Sequence, residues 1–208
     1  ISPHLIGGHV HDVEWPARDH RTPFTGTLDY KELLPFFPAG CPLIWELSPT
    51  RKTAEIRDAL KADVLMFNVE SSAEIHAINE VAASVGKKAR IALRINPDVD
   101  PKTHPYISTG MKKSKFGIAS DRALEEYKMA SSLDHIDVVC VHAHIGSQLT
   151  EVTPFVDSLK KVVTLIHTLK SQGITIRYLN IGGGLGITYS EEKPPSPQDL
   201  ANAISPLV

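Results

Sequence analysis

Apolar runs of strand length alternate along this chain with longer stretches whose apolar residues recur at helical spacing. Six runs read as strands: near 6–11 (IGGHVH), 43–47 (LIWEL), 64–69 (VLMFNV), 89–95 (ARIALRI), 137–143 (DVVCVHA) and 176–181 (IRYLNI). Between them, Ser71 and Glu74 have the spacing of a capping box, which predicts a helix start there. Ile75, Ile78, Ala82 and Val85 follow on one face. A second helix is predicted from Pro154, with Phe155, Leu159, Val162, Val163, Ile166 and Leu169 on one side and Gly173 as its stop. Strands alternating with amphipathic helices are the pattern of parallel βα units. The predicted class is α/β: one TIM-barrel-like domain over 1–208 with about six βα repeats. Eight strands close an ordinary barrel of this kind, so the expectation is a partial or rearranged (β/α)8 barrel.

Two predicted strands stop abruptly in polar or glycine residues, in VHAHIGSQ (141–148) and YLNIGGGLGITY (178–189). His144 and Gly182, Gly183 and Gly184 therefore fall just past the carboxyl ends of successive strands, where α/β barrels build their sites. A glycine run lets backbone N–H groups approach a phosphate without an obstructing Cβ. A histidine one strand earlier adds a flat ring or a titratable nitrogen, so the expected occupant is a phosphorylated, aromatic cofactor. Residues 12–27 and 96–117 read as long loops on the same face.

Composition narrows the partners. The 208 residues hold 22 Lys plus Arg against 24 Asp plus Glu, a net charge of −2, which points away from nucleic acid. Apolar runs are too short for a membrane span, and HDVEWPARDHR is too polar for a signal peptide. Cys41 and Cys140 are far apart, so a disulfide framework is not expected and a reducing cytoplasm is. Ile1 without Met and the SPLV ending fit a piece of something longer.

From about Lys61 onward the chain resembles the diaminopimelate decarboxylases, pyridoxal-phosphate (PLP) enzymes of the alanine-racemase-like barrel class. The residues that carry the likeness are FNVES (67–71), LRINPDVDPKTHPYISTG (93–110), SKFGI (114–118), HIGSQLT (144–150), NIGGGLGITY (180–189) and PPSP (194–197). The resemblance implies that His144 stacks on the pyridine ring, that Gly182, Gly183 and Gly184 bind the phosphate, that Ser147 lies near it, and that Arg94 points into the barrel mouth. It further implies a small amino-acid substrate, meso-diaminopimelate going to L-lysine and CO₂ in lysine biosynthesis, and a homodimer. The family's Schiff-base lysine segment (YAxKAN-like) and its EPGR segment have no counterpart in these residues. Lys102, Lys112, Lys113 and Lys115 lie in the long loop instead, so no residue is assigned the covalent step.

Residues 1–60 resemble the last two βα units of the sugar-phosphate isomerase/epimerase barrels, the xylose-isomerase-like group. GHVHD (8–12), DHRTPFTGTLDYKELL (19–34) and PLIWEL (42–47) carry that likeness. It implies a divalent metal held by His9, His20 and Glu46, a donor set suited to Zn or Mn. The expected joint lies in 46–63, which makes the chain a candidate chimera of two barrel fragments. The alternatives to a decarboxylase are thus a metal-dependent isomerase remnant and a non-catalytic scaffold.

Overall fold

The computed structural model describes residues 8–10, 12–14, 18–21, 43–45, 53–100, 116–189 and 191–208, the first four segments as backbone only. Contacts divide the chain into two compact units. The first comprises Ile1–Asn68, Ala73–Ile91 and Leu133–Asp137; the second comprises Val69–Ser72, Ala92–Ser132 and Val138–Val208.

In the first unit, β1 (Gly8–Val10) pairs in parallel with β4 (Leu43–Trp45), His9 opposite Ile44. β4 pairs in parallel with β5 (Phe67–Val69) through Trp45 and Phe67. Within the stretch expected to be a loop, β2 (Asp12–Glu14) and β3 (Arg18–Arg21) instead form an antiparallel ladder with a register shift. Backbone pairing there overrides the polar composition, which carries no alternation to reveal it.

Two helices follow, α1 (Thr53–Lys61) and α2 (Ser72–Ser84). The buried side of α2 is Ile75, Ile78, Val81 and Ala82, close to the expected stripe, while Val85 past its end is half-buried. Polar side chains then tie the incoming strand to the preceding turn. Lys87 Nζ donates to the Leu60 carbonyl at 2.6 Å, and Arg90 Nη2 donates to Asp63 Oδ1 at 2.8 Å and to the Val64 carbonyl at 2.7 Å.

The second unit holds the end of β6 (Ala89–Asn96), paired in parallel with the two-residue β7 (Ile118–Ala119), a strand the sequence pattern does not announce. It also holds most of β8 (Ile136–His142), paired in parallel with β9 (Tyr178–Asn180) at Cys140–Tyr178, Val141–Leu179 and His142–Asn180. Both β6 and β8 are buried along nearly their whole length, as expected for parallel strands covered on two faces. Three helices, α3 (Ala123–Ser131), α4 (Thr153–Ser171) and α5 (Pro197–Ile204), complete the unit.

Helix α4 buries Phe155, Leu159, Val162 and Leu169 as the periodicity predicts, but Val163 and Ile166 stay half-exposed. It closes at Gly173, whose N–H donates to the Lys170 carbonyl while Ile174 N–H donates to that of Leu169, the paired bonds of a Schellman stop. The buried Glu126 carboxylate accepts from Ser72 Oγ at 2.8 Å and from Arg122. The Tyr127 hydroxyl donates to the Cys140 carbonyl at 3.0 Å. The four described pairings that involve the βα strands are all parallel, so the α/β class and parallel order hold.

Candidate functional site

The second unit brings His144 and the glycine triplet together. Ala143 and Ile145 line a small apolar cavity with Phe155 and Leu159 of α4. Side-chain alternation therefore turns His144 the other way, off the helix-facing side of the strand. Past His142, Ala143 N–H donates to the Asn180 carbonyl at 2.9 Å, which carries the β8–β9 pairing one residue further.

Asn180 then bends the chain. Its Oδ1 accepts from Gly182 N–H at 2.9 Å, an Asx turn that starts the glycine loop. Gly182 has φ +71°, and a Cβ there would lie 2.7 Å from His144 Nδ1 and 2.8 Å from the Ala143 carbonyl. Gly183 N–H donates to His144 Nδ1 at 3.3 Å. With Nδ1 accepting, the neutral ring carries its proton on Nε2.

Gly184 is more constrained still: at φ +95°, an added Cβ would stand 1.8 Å from the Gly146 carbonyl oxygen. The two loops beyond are zipped together. Leu149 N–H donates to the Gly184 carbonyl at 2.8 Å, and Gly186 N–H returns to the Leu149 carbonyl at 2.8 Å. The Gln148 side chain clamps the Ile187 backbone, its Oε1 accepting from Ile187 N–H at 3.1 Å and its amide donating to the Ile187 carbonyl. Underneath lie Val99, Ile145, Leu149 and Phe155, an apolar base for both loops.

Gly183 differs from its neighbours. A Cβ built on it would meet nothing within 4 Å, and the residue is exposed. The middle of the triplet thus presents bare backbone to open space, with the His144 ring beside it and Ser147 exposed one residue past Gly146. A phosphate next to a flat ring fits this cradle, since the strand ends supply backbone approach and the histidine supplies a face.

Arg94 occupies a separate cluster on β6. Its Nη1 donates to Glu70 Oε1 at 2.6 Å, and its guanidinium lies 5.1 Å from the centre of the Phe116 ring. The other Glu70 oxygen accepts from Gly117 N–H at 3.1 Å. Asn180, Gln148 and Glu70 make these hydrogen bonds, and the residue pattern did not single them out. Only Asn180 carries a local signal, an Asn two residues before a Gly.

Cys140 is a free thiol, buried among apolar strands, and burial pushes it up to about 12. The Tyr127 hydroxyl is held well above its ordinary value by burial and by its proximity to Cys140. Neither is poised as a nucleophile or base near neutrality. Of the expected metal ligands, His9 and His20 lie on β1 and β3, where only the backbone is described, and Glu46 lies outside the described residues. Cys41, Lys102, Lys112, Lys113 and Lys115 lie outside them as well.

Comparison with known proteins assigns the family. Residues 43–208 match the pyridoxal-binding domain of the pyridoxal-dependent decarboxylases. The diaminopimelate decarboxylase of Aquifex aeolicus is 53% identical over 155 residues, covering 74% of this chain and 37% of that protein. That of Haemophilus influenzae is 51% identical over 150 residues, covering 72% of this chain and 36% of its own length. Among solved structures, diaminopimelate decarboxylase from Helicobacter pylori complexed with L-lysine superposes with a TM-score of 0.75 at 40% identity, over 79% of this chain and 42% of that one.

This chain thus spans little more than a third of the curated relatives it matches. The family match reaches back to residue 43, earlier than the start near Lys61 read from the sequence. It takes in Glu46, β4 and the whole stretch 46–63 in which a joint was expected. The chain belongs to the pyridoxal-dependent decarboxylases and carries their pyridoxal-binding domain from residue 43 to 208.

Proposed function

We propose that this chain forms the PLP-binding part of a diaminopimelate decarboxylase, a lyase acting on a small amino-acid substrate in the cytoplasm as a homodimer. The observation that carries the reading is the glycine turn whose middle residue faces open space beside a histidine ring held by that same turn. When bound, PLP supplies an electron sink for the carbon that loses CO₂.

The residues of this chain bind and orient. The phosphate approaches the exposed Gly183 backbone, where no Cβ stands in the way, with Ser147 alongside. His144 offers its face to the pyridine ring, and the Gly183 contact to Nδ1 fixes the plane of the imidazole. Arg94 contributes a fixed positive charge at the mouth. The apolar base beneath the loops holds this geometry against thermal motion.

A titration of the purified chain with PLP, followed by cofactor absorbance and fluorescence, tests the reading. Saturable binding is expected, competed by inorganic phosphate and weakened at least about tenfold by His144→Ala, the loss of one stacking face. Binding indifferent to both phosphate and His144→Ala would reject the proposed site.

A further inference from the structure

We propose that Glu70 is a positioning residue: its carboxylate fastens Arg94 and the Phe116–Gly117 turn into one block, fixing the direction in which Arg94 presents positive charge. This deepens the PLP reading above and rests on it.

Three pieces of chain meet at this carboxylate. Glu70 directly follows β5, Arg94 lies within β6, and Gly117 directly precedes β7. One Glu70 oxygen takes the Arg94 bond at 2.6 Å and the other takes the Gly117 N–H bond at 3.1 Å. The turn is also pressed onto the Arg94 backbone: Gly117 has φ +75°, and a Cβ there would lie 2.9 Å from the Arg94 carbonyl. Phe116, beneath the guanidinium, closes the block with a cation–π contact.

The charge balance explains why a carboxylate stands here. An arginine side chain has many rotamers, and holding it still costs conformational entropy. A short charge-assisted bond offsets that cost, more so where the side chain is only 13% exposed. Arg94 spends one nitrogen on Glu70, and among the described residues no other hydrogen-bond partner of its guanidinium is found. The remaining donors are available to an anion, a phosphate or a carboxylate. A glutamine at position 70 could not reproduce the arrangement. With its oxygen on Gly117 N–H, its NH₂ would face the guanidinium, donor against donor.

The test uses the ¹⁵N-labelled chain as wild type, Glu70→Gln, Arg94→Gln and the double variant. PLP affinity, the Arg94 Nε–H resonance and Gly117 amide exchange are measured on each. Glu70→Gln is expected to weaken PLP binding about tenfold, the equivalent of one charge-assisted bond. It is also expected to broaden the Arg94 signal and speed Gly117 exchange, while the double variant binds no worse than Arg94→Gln alone. Unchanged PLP affinity in Glu70→Gln, even with the signals altered, would reduce Glu70 to a structural role and overturn the proposal. Additive losses in the double variant would overturn it too, because the two residues would then act independently. A wild type that binds no PLP would instead sink the functional reading itself, and the positioning role with it.

Discussion

At the scale of single residues, the glycine triplet separates two demands that look identical in sequence. Gly184 serves the fold: its φ of +95° and the Gly146 carbonyl 1.8 Å from a would-be Cβ leave no room for a side chain. Gly184→Ala is expected to cost about 4 kcal/mol or more, read as a collapsed urea midpoint or as failure to fold. Gly183 has space, so Gly183→Ala should change stability by less than about 1 kcal/mol. Its added methyl stands where the phosphate would approach, and PLP affinity should fall. Equal tolerance at both positions would refute this division.

Burial of Cys140 gives a second residue-scale prediction. The folded thiol titrates near 12, whereas the unfolded one does so at its ordinary 9.0. Above pH 9 the unfolded chain holds fewer protons than the folded one, so stability is full below that pH and falls as pH rises toward 12. The expected slope is about 1.4 kcal/mol per pH unit, with Tyr127 adding to it at higher pH. Urea midpoints between pH 8 and 10.5 should show it, and Cys140→Ala should flatten it.

At the scale of elements, legibility followed periodicity. Each of the six expected strands overlaps an observed one, and β6 and β8 are matched most fully because strands buried on both faces are continuous apolar runs. Helix α4 was readable end to end, since its stripe and its closing glycine are both local signals. The β2–β3 ladder and the two residues of β7 were not, being short and set by partners distant in sequence. A side chain also links elements here: Lys161 on α4 donates to the Pro97 carbonyl at 2.9 Å and to that of Asp98 at 2.7 Å, just past β6. Lys161→Met keeps most of the stem but loses both bonds. It is expected to lower stability by about 1 kcal/mol, with faster amide exchange around Asp98 as the sign that the loss is local.

At the scale of the whole molecule, the near-balanced charge of −2 leaves no electrostatic basis for holding a polyanion. Retention on a DNA column at about 0.15 M salt is therefore not expected. The proposed homodimer is checked by sedimentation, where a species of twice 22.8 kDa is expected; a monomer at all concentrations would remove it.

The sequence by itself determined the α/β class, the strand-end placement of His144 and the glycines, and the family. Each of these rests on patterns that neighbouring residues impose on one another: strand period, helix period and glycine backbone freedom. Tertiary structure alone decided which glycine is closed and which is open, that Gln148 clamps the Ile187 backbone, and that Glu70 fastens Arg94 to Gly117. Those facts depend on distances between residues 24 to 47 positions apart in the chain, which local patterning cannot encode.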